Sequence, residues 1–314
     1  MTNLLNKILT TLISQSHFRL SILPFQKEQD TLNKVIYLEH KNLVLLLKTI
    51  KDFCRKESIS FVFYNKNYHQ KTLSIVSPNI DEVAQLHIEL LASERLVRSK
   101  TQLPTKKNAC FLWNKIRNVK IFKNNFICLI GPDGVGKSTI ASVIQQDTPS
   151  KPLRYKSVFR RSLTYKVLYS LQQRKYTSKN NYDDLHPNAV LISSLLRLYI
   201  KSILSFFSTK KILCDRYTND HLASHLRAEA PPKSSQKISI KSRFIPAPKT
   251  IIQLDAPADV ILSRRNELSE QTIDFLSHFY LESSVLIRPN KIIYFNTDIP
   301  FEDTQKLTIK LLSV

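Results

Sequence analysis

The chain has 314 residues, a length that suggests two domains at roughly 150 residues each, and its 47 Lys and Arg against 25 Asp and Glu leave a formal charge of +22. Hydrophobic residues make up 42%, enough apolar material in a chain this long to build real cores, so wholesale disorder is excluded. Cys54, Cys110, Cys128 and Cys214 are widely spaced, with no Cys-x-x-Cys pair and no His at ligand spacing, which argues against a zinc site or a disulfide framework and for a reducing, cytoplasmic setting.

The first expected element is a docking helix with Leu4, Leu5, Ile8, Leu9, Leu12 and Ile13 on one stripe. Polar residues interrupt that stripe, unlike the continuous apolar stretch of a signal peptide. A second helix is expected over Glu39–Lys56, with Leu43, Leu46, Leu47, Ile50 and Phe53 at helical spacing. Ile59–Tyr64, a polar turn through Asn65–Gln70, and Thr72–Val76 read as a β-hairpin, followed by an alternating run at Ala84–Leu90. Residues 1–120 are thus expected to form a small α+β domain with a few antiparallel strands, and the basic, turn-rich stretch Arg98–Lys123 to be the linker. From Asn125 onward, apolar runs ending in polar motifs alternate with helical stretches, as a layered α/β fold over residues 121–314 requires. The strands are expected at Phe126–Ile130, Lys211–Cys214, Thr250–Leu254 and Lys291–Phe295. The helices are expected at Lys137–Gln146, Asn188–Phe207, Ala258–Asn266, Glu270–Glu282 and Phe301–Leu312. The most apolar window, Val190–Phe207, carries Arg197 and Lys201 near its middle. Each would cost about 2.5–3.5 kcal/mol at a bilayer centre, so it reads as a buried or surface-lying helix.

The chain has only three glycines, Gly131, Gly134 and Gly136, and all three fall inside Gly131-Pro-Asp-Gly-Val-Gly-Lys-Ser138. This matches G-x-x-x-x-G-K-[ST] between an apolar strand and a helix. A loop that wraps a phosphate turns successive backbone N–H groups inward, through conformations that a Cβ resists. The motif assigns nucleotide binding to Gly131, Asp133, Gly134, Val135, Gly136, Lys137, Ser138 and Thr139. Lys137 would reach the β- and γ-phosphates of ATP and Ser138 would offer its hydroxyl to Mg2+.

Two apolar strands finish in aspartate, Lys211-Ile-Leu-Cys-Asp215 and Ile251-Ile-Gln-Leu-Asp255, and either could be the magnesium-side carboxylate. Asp215 is favoured because Arg216 and Tyr217 follow it, placing an anion and a cation at the edge of a parallel sheet where ligands sit. Asp255 reads better as a helix cap before Ala256-Pro-Ala-Asp. No Asn-Lys-x-Asp guanine-reading motif is present, which weighs against a GTPase.

Gly131-Pro-Asp-Gly-Val-Gly-Lys-Ser-Thr139, Asp215-Arg-Tyr217, and Leu254-Asp-Ala-Pro257 followed by Arg264-Arg265 resemble the P-loop kinases of the thymidylate kinase-like group over residues 125–314. Arg264-Arg-Asn-Glu-Leu-Ser-Glu270 through Phe279-Tyr-Leu-Glu282 is similar to divergent members associated with bacterial surface polysaccharide genes. The resemblance implies an α/β fold, the P-loop NTPase three-layer parallel sheet of nucleoside and nucleotide kinases, here preceded by the small α+β domain. It implies that Asp215 and Arg216 serve the acceptor side, with Asp133 facing the acceptor, and that Arg264 or Arg265 approaches the transferred phosphate from a lid. It places an acceptor-phosphate arginine near Arg197, which the residues alone read equally as a solvated helix charge.

The chain departs from that group in its additional N-terminal 120 residues and in Lys151–Lys179, which holds nine Lys and Arg, no acid, and the interleaved Tyr155, Phe159, Tyr165 and Tyr169. That segment is either a solvated face or a grip on a large anionic acceptor or on the anionic surface where such an acceptor sits. The N-terminal helix and hairpin with Leu86-His-Ile-Glu-Leu90 resemble a minimal nucleotidyltransferase domain. They lack its Gly-Ser and Asp-x-Asp pair, so a docking or acceptor-binding role is expected. The expected activity is ATP- and Mg2+-dependent phosphoryl transfer to a nucleoside monophosphate or an anionic sugar or glycan, in the cytoplasm or peripherally at the inner membrane, with nucleic acid not the partner. The alternatives are a degenerate ATP-binding regulator and a nucleic-acid-associated ATPase.

Overall fold

The computed structural model describes residues 21–24, 34–39, 42–65, 70–76, 83–91, 124–147, 150–154, 211–218 and 246–313, together with residues 10, 198–200, 220 and 223. Except for residues 10 and 198–200, the expected helices Leu4–Ile13 and Asn188–Phe207, Arg197 included, lie outside this set, as do the linker Arg98–Lys123 and all but the first four residues of the basic segment.

Ten strands, β1 (Ser21–Pro24), β2 (Lys34–Glu39), β3 (Ser60–Asn65), β4 (Gln70–Val76), β5 (Val83–Leu91), β6 (Asn124–Ile130), β7 (Ser150–Arg154), β8 (Lys211–Asp215), β9 (Pro248–Asp255) and β10 (Lys291–Asn296), form one sheet. Its order is β1-β2-β5-β4-β3-β10-β9-β6-β8-β7. The described helices are α1 (Leu43–Lys56), α2 (Lys137–Asp147), α3 (Ala258–Arg264), α4 (Glu270–Ile287) and α5 (Phe301–Ser313). The fold is therefore a mixed α/β sheet flanked by helices. Strands β10, β9, β6, β8 and β7 run parallel to one another, which puts the loops after β6, β8, β9 and β10 at one edge.

The N-terminal and C-terminal strands meet where β3 pairs antiparallel with β10. Phe61 stacks on Tyr294 there with ring centroids 5.0 Å apart, a contact worth about 0.5–1.5 kcal/mol beyond the area it buries. Residues 1–120 and 121–314, which the sequence pattern divides, thus contribute to a single sheet. Within the N-terminal part, β3-β4-β5 is antiparallel as the alternation predicts, while β2 runs parallel to β5.

Strand parity sorts the core. Phe61 and Phe63 of β3 and Ile292 and Tyr294 of β10 point toward α1, joined by Leu46, Leu47, Ile50 and Leu281. Val62, Ile293, Phe295, Leu129 and Leu254 point to the opposite face, against α2, α3 and α5. Helix α4 covers the same face as α1 through Leu276, Phe279 and Tyr280, which pack on Phe126, Cys128 and Ile251. Its start is capped by Ser269 Oγ, which accepts from Thr272 N. It runs five residues past the expected end at Glu282, because Ser283 and Ser284 are buried rather than breaking the turn. Strand β7 tolerates Pro152 because it lies at the sheet's edge. No helix among the described residues is long and apolar enough to cross a membrane.

Candidate functional site

The loop Gly131–Gly136 leaves β6 at the shared edge and enters α2 at Lys137. At Gly131 a Cβ would lie 2.5 Å from Leu254 O, so only glycine lets the chain leaving β6 run this close to the neighbouring strand β9. At Gly136 there is open space, but φ is +92°, a left-handed conformation that side chains resist. Val135 is fully buried in the core below and pins the middle of the loop. Ser138 and Thr139 are exposed on the first turn of α2.

A chain of alternating charges crosses the mouth of this loop. Lys137 Nζ donates to Gly131 O (2.8 Å) and Pro132 O (2.6 Å) and lies 3.3 Å from Asp133 Oδ1. The same carboxylate oxygen accepts from Arg216, whose other nitrogen donates to Asp220 Oδ2 at 3.1 Å. Burial alone would raise the Asp133 carboxyl, but Lys137 and Arg216 together hold it below its ordinary value. Burial pushes the Lys137 ammonium down despite the pull of Asp133, and burial also raises the Asp220 carboxyl against the pull of Arg216. Arg216 itself adopts φ +69°, strained for a bulky residue, with its N–H donating to Leu129 O at 3.0 Å. Tyr217 is buried behind it and donates its hydroxyl to Pro246 O at 2.5 Å. Asp215, the residue before, is half-buried at the end of β8 and takes no hydrogen bond or ion pair from another described residue.

On the other side of the loop lies a cleft of about 360 Å³, bordered by Gly134, Gly136, Thr139, Arg264, Thr297 and Phe301. Its size is that of a small-ligand site. Arg264, the last residue of α3, donates to Thr297 O at 3.0 Å and so lies along the cleft wall. Arg265 follows with extended backbone, and its Cβ would be 3.0 Å from a Cβ placed on Gly134. Of the predicted site residues, the structure therefore brings Asp133, Lys137, Arg216 and the glycines together, with Arg264 and Arg265 on one flank and Asp215 on the other.

Asp255 is a correction. It is fully buried and caps nothing: the residue before α3 is Pro257, with no side-chain cap. Strand parity turns Asp255 toward the face of α1 and α4, whereas α3 packs on the opposite face. Its Oδ2 accepts from Ser277 Oγ (2.6 Å) and Tyr294 OH (3.0 Å), with Arg55 Nε at 3.9 Å and Lys51 Nζ at 4.0 Å. Lys51 is itself fully buried and donates to Ser277 Oγ at 2.9 Å.

Sequence reasoning also missed Asp220, Thr297 and Phe301. The signal that could have found Thr297 is its position just after a parallel strand, at the edge where α/β sheets hold ligands. A group of three or more His, Cys, Asp or Glu side chains able to hold a metal does not occur among the described residues. A magnesium ion at a phosphate site is usually held by one or two protein oxygens together with phosphate and water. The Ser138 hydroxyl and the Asp215 carboxylate are hard oxygen donors that suit it.

No protein-family model matches the chain, and no curated protein matches it. Among solved structures, the YorR protein of Bacillus subtilis in complex with phosphorylated GDP is similar at a TM-score of 0.35 and 14% identity, over 60% of this chain and 95% of that one.

Proposed function

We propose that this chain is an ATP-dependent phosphotransferase of the thymidylate kinase-like class. Its acceptor is an anionic small molecule, a nucleoside monophosphate or an anionic sugar or glycan. The observation that carries the reading is the charge chain Lys137–Asp133–Arg216–Asp220 laid across a loop whose glycines are held in place by close packing and left-handed backbone.

Phosphoryl transfer needs positioning and neutralisation of charge more than covalent help from the protein. The loop amides and the start of α2 favour a polyphosphate. Lys137, held ready on two loop carbonyls, is released to phosphate oxygens when nucleotide enters. Asp133 is then shared between the loop and the acceptor side, and it keeps the Arg216 guanidinium aimed at an acceptor anion. Arg264 and Thr297 take the nucleoside end in the adjoining cleft. Mg2+, with Ser138 and Asp215 as its protein-side oxygens, would supply charge neutralisation between the phosphates. A phosphate acceptor arrives ionised, whereas a sugar hydroxyl must lose a proton; in this reading Asp215 takes it, with Asp133 the lesser candidate.

The test is incubation of the full chain with γ-labelled ATP, Mg2+ and a panel of nucleoside monophosphates, sugars and lipid-linked saccharides. Transfer of label to one class of acceptor is expected. Binding of ATP with no transfer to any acceptor would return the chain to the regulator reading.

A further inference from the structure

Helix α1 belongs to the N-terminal part of the chain, yet one of its side chains grips the turn from which the cleft wall hangs. Arg55 donates from Nε (3.0 Å) and from a terminal nitrogen (2.6 Å) to the single carbonyl of Ala256. Its other terminal nitrogen donates to Asp274 Oδ1 of α4 at 2.6 Å. Ala256 stands between Asp255 at the end of β9 and Pro257 at the start of α3. From the same turn, Asp255 O accepts Thr297 N (2.8 Å) and Thr297 Oγ1 (3.2 Å), and Thr297 O accepts from Arg264. A continuous set of hydrogen bonds thus runs from α1 to the wall of the cleft.

The contact has the properties of a device rather than of surface decoration. Arg55 is largely buried, and the pull of Asp255 and Asp274 outweighs burial to raise its guanidinium further. Two N–H groups converging on one oxygen need the planar fork of a guanidinium, which an ammonium does not reproduce. The turn it holds includes a proline and has no side-chain cap, so the side-chain hydrogen bonds on it come from Arg55 at Ala256 O and Thr297 Oγ1 at Asp255 O.

We propose that Arg55 is a positioning residue of the nucleotide site: by holding Ala256 O it sets the orientation of α3 and thereby presents Arg264 and Thr297 to the nucleoside end of the ligand. This rests on the reading of the cleft given under Proposed function. It makes the N-terminal segment part of the nucleotide-binding unit.

Calorimetric titration of the full chain with Mg2+-ATP and, separately, with Mg2+-tripolyphosphate tests it. Arg55→Lys keeps a cation beside Asp255 but loses the fork. It is expected to weaken ATP binding roughly tenfold, the scale of one lost hydrogen bond to a charged group, while tripolyphosphate affinity stays within about twofold because the loop is untouched. Lys56→Ala, on the exposed next position, is expected to change neither. A folded Arg55→Lys protein with wild-type ATP affinity overturns the proposal, as does an equal loss for both ligands, which would signify general loosening. Should Arg55→Lys not fold, Asp274→Ala removes the other anchor of the guanidinium at a half-exposed position and is expected to show the same selective loss. Wild-type ATP affinity in that variant likewise overturns the proposal. A wild-type chain that binds neither ligand brings down the reading of the loop itself, a result distinct from all of these.

Discussion

Two strands of this sheet end in aspartate, and the structure treats them in opposite ways. Asp215 leaves β8 half-exposed beside Arg216, with no partner among the described residues. Asp255 leaves β9 into a sealed pocket, where Ser277 and Tyr294 donate to it and Lys51 and Arg55 balance its charge. Locally the two sequences look alike. The difference arises from which face the last residue of each strand meets, and from what the N-terminal part of the chain lays over that face. An acid at a strand end is thus a chemical group only where the sheet edge stays open; where a helix covers it, it becomes a structural ion.

Substitution can break that contrast. Asp255→Asn should be the largest stability effect, because it removes the buried counter-charge that Lys51 and Arg55 share and leaves Lys51 only the half-exposed Asp52 at 3.3 Å. A loss of about 3–5 kcal/mol is expected, read as a fall of roughly ten degrees in melting temperature. A shift of only a degree or two would move Asp255 back among the dispensable charges. Lys137→Ala should lower label transfer by about 10²–10³-fold, the scale of one preorganised electrostatic group, with little change in melting temperature. Asp215→Asn should cut turnover by about 10²-fold or more if it handles a proton, with unchanged ATP affinity and unchanged stability. Equal loss of turnover and ATP affinity would make it a nucleotide-holding residue instead.

The smallest expected effect applies the same rule to cations. Lys71 and Lys291 are pushed down to about 8, mainly by burial, with Arg288 adding to the effect on Lys71, and Lys249 and Lys211 adding to that on Lys291. In the unfolded chain both return to about 10.5, so between these values the unfolded state binds more protons. The contribution of these two lysines to stability therefore rises as pH increases above about 8, until the thiols of Cys54 and Cys128, raised by burial, pull the other way as their unfolded counterparts ionise near 9. Urea titrations at pH 7.5 and 8.5 would detect it, and Lys71→Met should flatten the slope. At the acid end, Asp133 works in reverse. Its stabilising contribution is present above the ordinary carboxylate range and fades as pH falls through its depressed native value.

The candidate loop was legible because its chemistry is local: three glycines, one lysine and one serine in eight residues, after an apolar strand. The four expected strands of residues 121–314 stand within two residues of their observed bounds, for the same reason. What was not legible is what depends on partners distant in sequence. Strand β2 took the start of the helix expected at Glu39, and α1 begins at Leu43. Strands β1 and β7 are short edge or near-edge pieces with no alternation to reveal them. Helix α3 ends at Arg264 rather than Asn266, where Arg265 turns extended beside Gly134. The fate of Asp255 required knowing that Lys51 and Arg55 would arrive from α1, and no spacing rule carries that information.

The antiparallel seam between β3 and β10 also bears on how the polypeptide is made. Asn296 N donates to Ser60 Oγ across a separation of 236 residues, so one rim of the early hairpin stands open while most of the chain is still being synthesised. At ribosomal speeds of about 5–20 residues per second the wait is on the order of 10–50 s, a long time for unpaired backbone to resist pairing with a neighbouring nascent chain. Overproduction should therefore favour inclusion bodies, and supplying the last strand early should reduce them.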